Sequence, residues 1–264
     1  MSSRKLGPVS GLVEETARSH GKHARETFDR IYAANVWEDA ASPNGGGGSG
    51  PGSSLKFTAR TRAVMESLIW KYNIGMLIDA PCGAMKWMSA VVDRVTNQNG
   101  NPDFQYLGLD IVKSVIENNK IKFRNFDNMH FEVQDLSQDL IEVPSSIKRA
   151  RGQRTAIFSR DALQHLNFDL IVSTLSNFAA SHADFLIVGS YHGVGMNRNI
   201  TTGDYFAIDM AQAPFVTFLP LPLEVVDEET PDHKHMVVYD MKELAQVDFD
   251  GMLRAAKELY RPHL

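Results

Sequence analysis

The stretch Gly75–Met88 reads GMLIDAPCGAMKWM: an apolar run ends in Asp79, turns through Ala80, Pro81, Cys82 and Gly83, and continues in a helical rhythm. A short apolar run bounded by turn residues reads as a strand buried on both faces. A strand that turns directly into a helix is the opening of a βαβ unit. Outward from this unit the pattern repeats. Further strands are predicted at FQYLGLD (104–110), MHFEVQD (129–135), TAIFSRD (155–161) and DFLIVGSY (184–191). Helices are predicted over 58–72, 85–95, 112–123 and 162–181. Strands alternating with helices of this length predict a parallel sheet covered on both faces, and such sheets take ligands beyond the carboxyl ends of their strands.

Composition bounds the rest. The chain has 264 residues, 43% hydrophobic and 22% charged, which fits one large domain with a substantial core. A formal charge of -5 and a pI near 6.0 give no global drive toward nucleic acid or an anionic membrane, so neither partner is expected. The single cysteine allows no intrachain disulfide and argues against a zinc site, so no metal is expected. The start of the chain lacks the apolar core of a signal peptide, and no apolar run reaches the roughly 18–20 residues of a membrane span. A cytoplasmic protein is the expectation, with its oligomeric state open. Residues 1–30 read as an extension, partly helical, with Leu12, Ala17, Ala24, Phe28 and Ile31 or Tyr32 on one side. Residues 31–264 read as a single domain. Within it the glycine-, proline- and serine-rich loop 42–54 is either a flexible linker or a lid whose bare backbone can close over a ligand.

The strand ends carry the chemistry. Asp79 closes the first strand and Asp110 the second, and in a dinucleotide-binding half the second acid hydrogen-bonds ribose hydroxyls. The alternative is that both acids simply cap the helices that follow. DAPCGA has one glycine where a pyrophosphate cradle uses three, so a cofactor with a ribose but no pyrophosphate suits the turn better.

Together these residues resemble the class I S-adenosylmethionine-dependent methyltransferases. Within that superfamily the chain is similar to a group that reads SGPGS, then DAPCG followed by WM, then SRDALQHL; here these are Ser49–Ser53, Asp79–Gly83 with Trp87 and Met88, and Ser159–Leu166. The resemblance runs from about Tyr32 to Tyr239 and implies a Rossmann-like seven-stranded methyltransferase sheet, α/β, with helices on both faces. PLEVVDEE and KHMVVYDM would supply the sixth strand and an antiparallel last one. It implies S-adenosyl-L-methionine as cofactor, with Asp110 on the ribose hydroxyls, Gly83 at the methionine end and Asp135 near the adenine. Around them it implies a pocket drawn from Ser49, Gly50, Gly52 and Ser53 of the loop and from Asp79, Ala80, Cys82, Ile111, Leu136, Ser159 and Arg160. Trp37 and Trp87 are either walls of that pocket or core aromatics. Ala84 and Lys86 depart from the group, where an acid and a smaller polar residue are expected.

Methyl transfer asks the protein for alignment and for removal of the acceptor's proton. Asp161 and His165, four apart, would share one face of a helix starting there, so that a carboxylate backs an imidazole that titrates near neutrality. His192, after the fifth strand, is a second candidate base. The basic run KRARGQR (148–154) reads as a solvated loop or as a contact for a polyanion. The resemblance implies O-methylation of a hydroxyl on a sugar-containing or other small polar acceptor, a small molecule or a glycan. An RNA or protein methyltransferase, or a catalytically silent cofactor-binding subunit, is the alternative.

Overall fold

A computed structural model describes residues 23–37, 51–98 and 100–259. Ser49, Gly50 and the rest of the loop before residue 51 lie outside the described residues, as does the extension before residue 23.

The first helix, α1, spans 23–33, across the point where the domain was expected to begin. After it come α2 (Ala59–Lys71), β1 (Ile74–Asp79), α3 (Met88–Asp93), β2 (Gln105–Asp110), α4 (Lys113–Lys122), β3 (Met129–Val133) and β4 (Arg154–Ser159). The chain continues through α5 (Phe168–Ala179), β5 (Phe185–Tyr191), β6 (Glu224–Asp227), β7 (Lys234–Asp240), α6 (Met241–Leu244) and α7 (Phe249–Leu259). The seven strands form one sheet in the order β3-β2-β1-β4-β5-β7-β6. Pairing is parallel from β3 through β5, and β7 runs antiparallel to both β5 and β6. The expected sheet, with its antiparallel last strand, is the observed one.

All six residues of β1 are buried, which is why its sequence is an unbroken apolar run rather than an alternating one. Its side chains nonetheless divide by period two. Met76 and Ile78 join Leu107, Leu109 and Ile157 under α5, α6 and α7, whereas Leu77 joins Tyr106, Ala156 and Phe158 under α2, α3 and α4. Two cores, one on each face, make the three layers.

One predicted helix is broken. Residues 162–181 do not form one element: Leu163–His165 make a single 3-10 turn, and α5 begins only at Phe168. Asn167 is the reason, because its side-chain oxygen accepts from the Leu170 amide at 3.0 Å and caps α5, an arrangement worth about 1 kcal/mol. Among the described residues no helix is long and apolar enough to cross a membrane.

Candidate functional site

The strand order reverses between β1 and β4, and a cavity of about 490 Å³ opens at their carboxyl ends. Asp79, Gly83 and Asp110 meet in its wall because parallel pairing of β1 with β2 sets both acids at the same edge of the sheet. Asp110 ties two turns together. Its Oδ2 accepts from the Gly83 amide at 3.0 Å and its Oδ1 from the Val112 amide at 2.9 Å. Gly83 has φ of 53°, a left-handed conformation that glycine takes without steric cost, and its carbonyl accepts from Asn119 Nδ2 at 2.8 Å. Burial pushes the Asp110 carboxyl up to about 6, against the pull of the backbone amides of Val112, Gly83 and Ile111. Asp79 is raised further, to about 8, by burial and by the charge of Asp110, although Tyr106 donates its hydroxyl to Oδ2 at 2.7 Å.

Cys82 also lines the cavity. Its thiol is pushed well up by burial and by the charges of Asp110 and Asp79, so it is a neutral thiol of small volume rather than a nucleophile. Ala80 lies beneath the wall, fully buried, and donates its amide to the Phe158 carbonyl at 2.8 Å. Ile111, Asp135 and Leu136 line the far side, and Asp135 holds its own turn through the amide and hydroxyl of Ser137. Trp37, Gly52, Ser53, Trp87, Ser159 and Arg160 are also in the wall.

Asp161 and His165 both line the cavity, but not as a pair on one helical face. Asp161 sits at φ 55°, before the 3-10 turn, and its carboxylate is saturated. Arg160 Nη1 (2.6 Å) and Lys234 Nζ (3.0 Å) donate to Oδ2, while Tyr191 Oη (2.8 Å) and Gln164 Nε2 (3.3 Å) donate to Oδ1. Burial alone would raise the Asp161 carboxyl, but Arg160, Lys234 and the Tyr191 bond outweigh it and hold the group below its ordinary value. Such a carboxylate is a poor proton acceptor. Nor does it back the imidazole: His165 Nδ1 lies 2.9 Å from the Asp204 carbonyl. A carbonyl only accepts, so Nδ1 carries the proton and Nε2 keeps the lone pair. Burial lowers the His165 pKa and favours the neutral ring.

His192 lies outside the cavity wall and stacks on His235 at 3.9 Å, since it follows the inward-facing Tyr191 and points the other way. The basic run also lies away from the site, leading into the amino end of β4 while the cavity opens at the carboxyl end. Arg149 there pairs with Asp184, and the Arg154 guanidinium lies over Phe185.

Sequence reasoning missed several residues of the wall. Phe28 and Tyr32 come from α1, Tyr205 from the segment after β5, and Lys234 from the first position of β7. Lys234 had a signal, because an antiparallel last strand starts at the edge where the parallel strands end. Fully buried Glu228 had none. It receives Arg160 through Nε and Nη2 and the Thr61 hydroxyl at 2.5 Å, and so holds the guanidinium that holds Asp161.

Among solved structures the fold is similar to the N-methyltransferase NodS from Bradyrhizobium japonicum WM9 in complex with S-adenosyl-L-homocysteine. Identity is 12%, coverage 82% of this chain and 97% of that one, and the TM-score 0.50. It is also similar to the Burkholderia thailandensis 1,6-didemethyltoxoflavin-N1-methyltransferase with bound 1,6-didemethyltoxoflavin and S-adenosylhomocysteine. Here identity is 12%, coverage 90% of this chain and 92% of that one, and the TM-score 0.52. The fold is the Rossmann-like methyltransferase fold. No protein-family model matches the chain, and no curated protein matches its sequence.

Proposed function

We propose that the chain is an S-adenosyl-L-methionine-dependent methyltransferase that methylates a hydroxyl on a sugar-containing or other small polar acceptor. The observation that carries this reading is the meeting of Asp79, Gly83 and Asp110 in one cavity at the switch point of a methyltransferase-type sheet. Both solved neighbours hold S-adenosylhomocysteine, the demethylated product of that cofactor, which supports the same reading.

The residues present fit the cofactor. A carboxylate accepts about four hydrogen bonds, so beyond the backbone amides of its turns Asp110 has capacity for a ribose hydroxyl. Among the described residues, the buried side-chain atoms without a hydrogen-bond partner are Ser159 Oγ and Thr174 Oγ1, and both residues line this cavity. Buried polar groups without partners are costly, and a polar ligand would supply the missing bonds. Asp79 and Gly83 would hold the methionine end of the cofactor, and Asp135 and Leu136 its adenine.

When bound, the cofactor would supply an electrophilic methyl group to the acceptor oxygen and be left as its demethylated thioether. His165 Nε2 takes the proton that the hydroxyl loses, because Asp161 is already saturated by four donors. Phe28, Tyr32 and Trp37 give the cavity an aromatic wall. A macromolecular acceptor is disfavoured by the position of the basic run at the opposite end of the sheet.

Calorimetric titration with S-adenosylhomocysteine tests the reading, followed by a screen of hydroxylated acceptors with labelled S-adenosylmethionine. Asp110→Asn is expected to weaken binding at least tenfold, with ligand-free melting recorded in parallel because Asp110 also ties two turns. Binding of wild type that is undetectable, or unchanged in the variant, would overturn the assignment.

A further inference from the structure

His165 is held on every side by chain that comes from elsewhere in the sequence. The segment 199–206 is laced to the residues around it: the Gly203 amide donates to the His165 carbonyl at 2.8 Å, the Phe206 amide to the Gln164 carbonyl at 3.0 Å, and the Phe168 amide to Asn199 Oδ1 at 2.8 Å. The imidazole touches two rings, Trp37 at 4.5 Å and 31° and Tyr205 at 5.6 Å and 55°. Trp37 is itself packed against Phe28 and Tyr32 of α1, at 6.1 and 5.9 Å. The helix docks through its buried face, Ala24, Thr27 and Ile31. Its seat includes Gly203, where an added Cβ would stand 2.6 Å from Thr27 Cγ2 and where φ is +102°. The absence of a side chain at position 203 therefore lets α1 come down over the site.

We propose that Trp37, in the turn that follows α1, is a positioning residue for His165: with Tyr205 it clamps the imidazole against the Asp204 carbonyl and keeps water from the ring, so that Nε2 is held as the proton acceptor of the reaction. The proposal rests on the methyltransferase reading for the identity of the reaction, but the clamp itself is a property of the ligand-free chain. The charged and titratable groups facing the ring are Asp161 and Lys234 from the strand ends and Tyr205 from the laced segment. Asp161 favours the charged imidazole and Lys234 disfavours it, so the two oppose each other. Asp29 of α1 bears on Asp110 instead. Burial is then the larger influence on the ring, and Trp37 supplies one of its faces. A tryptophan face also attracts an imidazolium, which acts in the opposite direction. The lowered pKa of His165 says that burial wins.

The test is long-range proton–nitrogen NMR of the histidine side chains in the ligand-free protein across a pH titration, with His165→Gln identifying the resonance. In wild type the ring is expected as the Nδ1–H tautomer with a pKa below that of a free histidine. Trp37→Ala should raise that pKa toward the free value and mix the tautomers, and Trp37→Phe should restore both. A wild-type ring protonated on Nε2, or a His165 titration unchanged in Trp37→Ala, overturns the proposal. Calorimetry with S-adenosylhomocysteine on the same samples separates this result from the methyltransferase reading: failed cofactor binding with an intact clamp sinks the reaction, not the positioning role.

Discussion

Asp79 is a buried acid, 4% exposed at the end of β1, and its carboxyl is raised from an ordinary 3.8 to about 8. An acid whose pKa is higher folded than unfolded holds its proton more tightly in the native state. Native stability is therefore greatest below pH 4 with respect to this group and is lost as pH rises through about 8. Each unit of that window costs about 1.4 kcal/mol, so the carboxylate weakens the ligand-free protein by roughly 3–4 kcal/mol between about pH 5 and 8. Asp79→Asn removes the titration while keeping an oxygen to accept the Tyr106 hydroxyl, which lies 2.7 Å away in the wild type. Chemical denaturation of both proteins without ligand is the assay. At pH 5 the two should be close, and at pH 8 the variant should be the more stable. For a chain of this size the widening amounts to roughly 6–15 °C in melting temperature. Asp110, raised to about 6, titrates in both proteins and cancels in the comparison. A stability difference that stays flat from pH 5 to 8 would refute the reasoning, since it would mean that Asp79 is not desolvated.

Two further outcomes follow from the wall of the cavity. Cys82→Ser should bind S-adenosylhomocysteine as wild type does, and the native thiol should react with a disulfide reagent at pH 8 far more slowly than the unfolded chain; rapid native labelling would contradict its raised pKa. Glu228→Ala should cost about 3–5 kcal/mol in urea denaturation, because it leaves the buried Arg160 guanidinium without its bidentate partner. A loss below about 1 kcal/mol would show that Arg160 finds water or Asp161 enough.

Much of the fold was legible because it depends on local patterns. Short apolar runs between helical segments have few solutions other than a covered parallel sheet, and β1, β2, β4 and β5 follow it. Asp79, Gly83 and Asp110 were legible because strand ends in such a sheet share an edge. The break before α5 was written in the sequence too, as an asparagine with an acid two residues on, but the apolar residues on either side of Asn167 hid it. That misreading put Asp161 and His165 on one helix and made them partners.

Residues close in sequence owe their arrangement to backbone geometry, which a chain carries with it. The sequence alone therefore determined the layer order, the edge of the sheet where a ligand belongs and the acids that stand there. Which donors meet those acids is decided by contacts across long separations, and only the tertiary structure holds them. Thr61 reaches Glu228, Lys234 reaches Asp161, and a glycine at 203 makes room for the helix over 23–33. Those contacts turned Asp161 from the carboxylate behind an imidazole into an anchored, acidic carboxylate and gave His165 a carbonyl as its partner. No spacing rule reports such contacts, because each is fixed by packing between elements that have no register with one another until the core has formed.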